Sequence, residues 1–273
     1  FNLAELYAAS ATVSFAYAVS PAAGFAAIGA PREVSAAGNL QVCAGFEPSD
    51  PQGTVKITVT ALGITRTYLV SVYPYWIADS ATAPTSISNG VHGVVFAVKA
   101  SGTNLALSGK IEMRDATEFD FSYPVWSADA SQEFALASVG TVFREDTAVS
   151  AVVLPDTMTA IPANAFLDCV KLARVHLPSN LVSIGGSAFK GCALLSEIDP
   201  LFPAGCTAIG GSAFQQCTLL PNFTLADGMT TIEGSTFQYC TTFTDVTIPD
   251  SVTAIRSFAF DNCWSLTNFQ PRF

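Results

Sequence analysis

The sequence predicts a mainly β chain: a solenoid of 23-residue repeats over residues 143–273, preceded by a small β-sandwich. Three observations carry that reading. Phenylalanine recurs with a cysteine three residues on, at Phe166/Cys169, Phe189/Cys192, Phe214/Cys217, Phe237/Cys240 and Phe260/Cys263, and the phenylalanines step by 23, 25, 23 and 23 residues. A fixed period in this range marks units that bury their apolar faces only against their neighbours. Residues before 75 alternate apolar and polar with period two, the signature of half-buried strands. Only 12% of residues are charged while 50% are apolar, which fits a β-rich chain with many small residues on its surface.

Within each repeat the columns are regular. Leu172, Leu195, Leu220, Phe243 and Leu266 follow the cysteines, then Val175, Ile198, Phe223, Val246 and Phe269, then Leu177, Leu225 and Ile248. The period-two ending of this run predicts a short strand with one face buried. Pro178, Pro203 and Pro249 then end ladder pairing. Ile184, Ile209, Ile232 and Ile255 lie five residues before the next phenylalanine, and the pairs Gly185-Gly186 and Gly210-Gly211 are read as permitting the turn. A weaker first copy runs through Phe143, Val149, Val152, Leu154, Pro155, Met158 and Ile161, with Asp146 in the cysteine column. That carboxylate is expected to bond loop amides at the end of the stack or to lie exposed there. The step of 25 is assigned to two extra residues in Ile198–Pro203, a bulge at the strand end.

The pattern L-x-x-I-x-L-P-x-x-(V/L)-x-x-I-x-x-x-A-F-x-x-C resembles the BspA-like class of leucine-rich repeats of bacterial surface proteins, over residues 143–273. The Asn/Cys that ordinarily follows the strand is absent and the cysteine sits elsewhere in the rung, itself a trait of the BspA-like class. The resemblance implies an exported, non-enzymatic, extracellular surface protein. Its relatives are implicated in adhesion to host matrix proteins or other cells.

Residues 1–75 read as an immunoglobulin-like β-sandwich. Strands are expected at Ala11–Val19, through Leu40 and Val42, and at 54–60 and 65–72, joined by Ala61-Leu62-Gly63-Ile64. The Gly53-to-Val72 hairpin resembles the closing strands of bacterial immunoglobulin-like modules. Residues 76–142 read as an N-terminal cap or degenerate repeats, or as part of the first domain. Val94–Lys99 and Leu105–Ile111 form a hairpin across 101–104, Leu105–Gly109 resembles a degenerate repeat strand, and Phe119, Phe121, Tyr123 and Trp126 are candidates to close the stack.

Composition excludes several classes. A formal net charge of −10 makes a poor binder of nucleic acid or anionic membrane. The sequence contains no uninterrupted apolar stretch of about 20 residues, the length of a membrane helix. Phe1 opens the chain without Met or a signal sequence, which reads as a mature or trimmed product with any export signal or upstream lipid anchor removed. Seven cysteines include no C-x-x-C, so no zinc site of ordinary spacing is expected. The cysteine column reads as buried free thiols acting as small hydrophobes, the alternative being rung-to-rung disulfides or a soft-metal ladder. Cys43 stands alone and Cys206 shares the apolar column of Leu181 and Met229.

No catalytic residue, cofactor or metal is expected. His92 reads as solvated in a loop, while His176 projects from the exposed strand face, one rung from Asp199. Rungs about 4.8 Å apart make that pair plausible, but the flanking Val153 and Thr224 supply no nucleophile. Asn222-Phe223-Thr224 matches a glycosylation acceptor but places Phe223 in a core column. The candidate binding face is the exposed strand surface: Arg174, His176, Glu197, Asp199, Asn222, Thr224, Asp245, Thr247, Asn268 and Gln270. Continuous sheets of this kind serve protein recognition in solenoids. The expected partner is a host matrix or cell-surface protein. The alternatives are a structural spacer, or a glycan-binding module using Tyr73, Tyr75, Trp76 and Trp126.

Overall fold

The computed structural model describes residues 11–19, 26–27, 32–34, 53–61, 64–72, 76–89, 94–113, 116–127, 132–200 and 202–269, with side chains from residue 76 onward. Among the described residues every regular element is a strand. In the first region β1 (Ala11–Val19), β2 (Ala26–Ala27), β3 (Arg32–Val34), β4 (Gly53–Ala61) and β5 (Ile64–Val72) form one sheet of order β2-β1-β4-β5, with β3 also pairing β1. The expected hairpin is present, with Gly53 opposite Val72 and Ala61 opposite Ile64. Leu40, Val42, Cys43, Tyr73, Tyr75 and His92 lie outside the described residues.

Next comes a closed six-stranded barrel of β6 (Trp76–Ala78), β7 (Ser86–Asn89), β8 (Val94–Ser101), β9 (Asn104–Glu112), β11 (Val125–Ser127) and β12 (Glu133–Ser138). Alternation places Val94, Phe96, Val98, Leu105 and Leu107 inside. The expected hairpin joins β8 to β9, its turn carrying Gly102 at φ 62°. Leu105–Gly109 therefore belongs to the barrel. The segment that extends the repeat ladder is β10 (Glu118–Asp120), which pairs in parallel with β13 (Ala151–Val153).

From β13 onward each rung contributes two short strands to a stack. The front strands are β13, β15 (Arg174–His176), β17 (Glu197–Asp199), β19 (Phe223–Thr224), β21 (Asp245–Thr247) and β23 (Asn268–Phe269). The back strands are β14 (Ala160–Ile161), β16 (Ser183–Ile184), β18 (Ala208–Ile209), β20 (Thr231–Ile232) and β22 (Ala254–Ile255). All pairings in the stack are parallel and in register, as in Val152 beside Val175 beside Ile198. A third ladder runs through the Ala-Phe loops, where the amides of Phe166, Phe189, Phe214 and Phe237 donate to the carbonyls of Ala188, Ala213, Thr236 and Ala259 at 2.7–2.9 Å.

The core is a single file of rings. Phe143, Phe166, Phe189, Phe214, Phe237 and Phe260 stack with centroids 5.2–5.8 Å apart and planes within 17° of parallel. Offset stacking at this distance adds to the burial of each ring, itself worth roughly 1.5–3 kcal/mol. Phe96 of the barrel and Phe119 of β10 approach Phe143 at 5.8 and 5.2 Å, so barrel and stack share one interior. Trp76 continues that cluster, stacked on Phe121 at 5.0 Å, and its indole donates to the Asp120 carbonyl at 2.8 Å.

The cysteine column has a specific role. The thiols of Cys169, Cys192, Cys217, Cys240 and Cys263 each donate to the phenylalanine carbonyl of the preceding rung at 2.8–3.1 Å. All six described cysteines are free. Burial pushes the thiols of Cys192, Cys217 and Cys240 well up, and those of Cys206 and Cys263 to about 11. In the first rung Asp146 stands in this column and accepts the amides of Ala148 and Val149 at 2.7 and 3.1 Å. It also pairs with Lys110 of β9, tying barrel to stack.

Two sequence expectations change. Gly185 and Gly210 do not supply left-handed backbone; that conformation falls on Asn164, Ser187, Ser212, Ser235 and Phe258, at φ 55–62°. Glycine is needed because rungs approach too closely there: a Cβ on Gly185 would lie 2.4 Å from the Ala163 amide nitrogen, and one on Gly210 2.5 Å from that of Gly186. The two extra residues of the long step deliver another ring to the core, since Phe202 is buried and packs edge-on against Phe214 and Phe223 at 5.3 and 5.2 Å. The front ladder is interrupted at this step, between β17 and β19. Pro221, in the column whose amides otherwise bond the previous rung, has no N–H to donate.

Candidate functional site

Alternation along each front strand turns the apolar middle residue inward and its two neighbours outward. Val175 is buried between Arg174 and His176, and Ile198 between Glu197 and Asp199. Parallel register then aligns the outward residues in columns. The structure brings together four of the expected residues, Arg174, His176, Glu197 and Asp199, and adds Glu118 and Asp120 from β10. These six rim a depression of about 340 Å³, floored by the outward-facing Ala151 and Val153 and by the backbone at Val152 and Val175.

The small side chain of Ala151 allows Arg174 to reach across a rung to Glu118 at 2.9 Å. The expected pair is present, with His176 Nδ1 3.5 Å from Asp199 Oδ2. Asp199 remains 86% exposed, so this is a solvated contact with little effect on stability. Asp156 lies behind the same rim. The amide and hydroxyl of Ser179, and then the nearby His176, hold its carboxyl below the ordinary value.

Glu118 and Asp120 were not on the expected face. A signal existed: Glu118-Phe119-Asp120 has the polar–apolar–polar order of Arg174-Val175-His176 and Glu197-Ile198-Asp199. It was hidden because β10 lies 33 residues before its ladder partner, outside the 23-residue period.

The other expected residues belong to the far side of the ladder break. Thr224 and Thr247 are exposed neighbours on β19 and β21. Asn268 donates to Asp245 Oδ2 at 2.8 Å. Asp245 and Asn268 also border a second, acidic depression of about 570 Å³ with Asp227 and Asp250. Asn222 is committed to the backbone: its Oδ1 accepts the amides of Thr244 and Asp245. Gln270 lies outside the described residues. Trp76, a member of the expected glycan platform, is 3% exposed and inside the aromatic core.

Five thiols donating to five phenylalanine carbonyls, at the Ala-Phe turn of successive rungs, define the repeat. Residues 140–270 match the BspA type leucine rich repeat region, in six copies. Solved structures agree with this match. A leucine rich cell surface protein from Faecalibacterium prausnitzii is 26% identical, with a TM-score of 0.56, over 69% of this chain and 55% of that one. A leucine-rich repeat protein from Bacteroides ovatus is 25% identical, with a TM-score of 0.51, over 65% and 52%. A leucine-rich repeat protein from T. pallidum, 22% identical with a TM-score of 0.50 over 63% and 88%, shares the fold. The chain thus spans about half the length of the first two relatives. No curated protein sequence matches it. Among the described residues, no helix is long and apolar enough to cross a membrane. The match covers the stack from its first full rung, while the first front strand, β10, lies before it in the chain and outside the barrel.

Proposed function

We propose that the chain is a non-enzymatic, cell-surface solenoid protein that binds a host or microbial protein through its front sheet, in the manner of an adhesin. The observation that carries this is the depression rimmed by Glu118, Asp120, Arg174, His176, Glu197 and Asp199 on a continuous parallel sheet. Its floor is apolar and its rim charged, the arrangement of a recognition surface with a small desolvated centre. The F. prausnitzii relative is a leucine rich cell surface protein, which supports the location.

The test is binding of the chain to immobilised extracellular-matrix extract and to intact host cells, beside the double variant Arg174→Glu, Glu197→Lys. Both side chains are exposed, so the variant keeps its fold. Saturable binding that falls at least about tenfold in the variant supports the reading. Binding equal in both proteins, or none in either, removes it and leaves the spacer role.

A further inference from the structure

Three aromatic side chains stand outside the core on the last two rungs, away from the front sheet: Tyr239, Trp264 and Phe258, the last on the left-handed residue of its turn. Trp264 is 77% exposed and Tyr239 39%. The repeat demands neither. Trp264 occupies the column of Val170, Ala193, Thr218 and Thr241, and Tyr239 that of Asp168, Gly191, Gln216 and Asn262. The Trp264 column is at the surface deep in the stack as well, where Val170 is 44% exposed. The rung thus leaves this column at least partly open, Ala193, Thr218 and Thr241 being half-buried, and the last rung opens it further. A large apolar surface held in water is the informative kind of exception.

The indole is also held in place. Its Nε1 donates to Asn262 Oδ1 at 3.1 Å, and Asn262 Nδ2 donates to Asp261 Oδ2 at 2.9 Å. The same carboxylate oxygen accepts Gln238 Nε2 at 2.8 Å, and Gln238 Oε1 accepts Gln215 Nε2 at 2.6 Å. A line of amides crossing three rungs thus orients the ring at the end of it. Asp261 Oδ1 takes none of these bonds.

A fixed aromatic face beside carboxamides and a carboxylate complements a sugar ring. The C–H face of a pyranose covers the ring, and its hydroxyls both donate and accept, matching the mixed capacity of Asn and Gln and the acceptor of Asp. Charge narrows the class further. The line of amides carries one charged side chain, Asp261, which repels phosphate, sulfate and carboxylate groups, and the cation of the same rung, Arg256, is paired with Glu233 at 2.9 Å. Nucleic acid bases would stack equally well, but their phosphates would meet Asp261 and an arginine already paired with Glu233. We propose that Tyr239 and Trp264, with Gln238, Asp261 and Asn262, form a binding site for a neutral, pyranose-containing glycan.

The full chain is titrated with neutral hexasaccharides of glucose, galactose, mannose and xylose, followed by tryptophan fluorescence and calorimetry. At least one should shift the emission saturably, with little dependence on salt. Trp264→Ala should weaken that binding about tenfold or more, the size of a lost stacking contact. Trp264→Phe should recover part of it, and Asn262→Ala should cost less by releasing the indole. Arg174→Glu on the front sheet should leave it unchanged, which separates this site from the front-sheet reading. Trp264 is exposed, so its variants should melt with the parent. Absence of binding by every hexasaccharide at millimolar concentration overturns the proposal. So does binding that survives Trp264→Ala, or capture of a protein by this edge with no response to sugar.

Discussion

Asn222 stands in for a backbone carbonyl beside Thr244: its Oδ1 accepts the Thr244 amide at 2.7 Å and the Asp245 amide at 3.1 Å. In neighbouring rungs the same two amides go to a main-chain oxygen, as when Ala173 and Arg174 both donate to Ser150. The side chain thus restores bonding next to the step at Pro221. Asn222→Ala should destabilise the chain by about 0.5–1.5 kcal/mol by removing both bonds at an exposed site. Asn222→Asp, which keeps the acceptor, should cost less. Urea unfolding of the two variants checks the order.

Asp146 gives the fold an acid-sensitive joint. Burial on its own would raise the carboxyl, but the Lys110 hydrogen bond and the amides of Ala148 and Val149 bring it below its ordinary value. A carboxyl lowered in the folded state contributes stability above its unfolded value of about 3.9, and that contribution is lost as pH falls through the folded value. Melting between pH 7 and pH 2 should therefore fall more steeply below about pH 4 in the parent than in Asp146→Asn. Parallel curves would count against the joint.

The phenylalanine file should respond to position. Phe214 is fully buried between two rings, whereas Phe260 is only partly buried. Phe214→Ala should cost about 3–5 kcal/mol and Phe260→Ala distinctly less, as measured by chemical unfolding.

Glycine substitutions separate crowding from conformation. Gly210→Ala places a methyl 2.5 Å from the Gly186 amide nitrogen, against backbone that cannot rotate away. Gly102→Ala meets nothing within 4 Å and is opposed only by its positive φ. The first should lower the melting point severely, the second by the equivalent of about 1 kcal/mol.

Thiol chemistry should follow burial. Cys263 is half-buried at the last rung, while Cys192, Cys217 and Cys240 are fully enclosed with thiols pushed well up. A disulfide reagent at pH 8 should modify Cys263 before those three, with peptide mapping giving the order. The enclosed thiols should react only on unfolding, since the thiolate is the reactive form.

What the sequence revealed depended on how far each feature reached. The ring file was legible because Phe166 to Phe260 repeat at a nearly constant interval, and one interval is enough to place every later copy. The His176–Asp199 contact followed from the same arithmetic. Asp146 was legible in part, since the amides it accepts are two and three residues away, while Lys110 is 36 residues distant in the barrel. Trp76 was misjudged because its burial rests on a carbonyl 44 residues on. Asn222 was placed on the surface correctly, but its bonds answer a defect at the adjacent proline, which a column of residue types does not display.

The break at Pro221 divides the front of the molecule into panels of four and three strands. A long ligand lying across both would cross a seam where the strands do not pair. Its affinity would then arise as two half-sites joined in tandem, each able to tighten or lapse without the other.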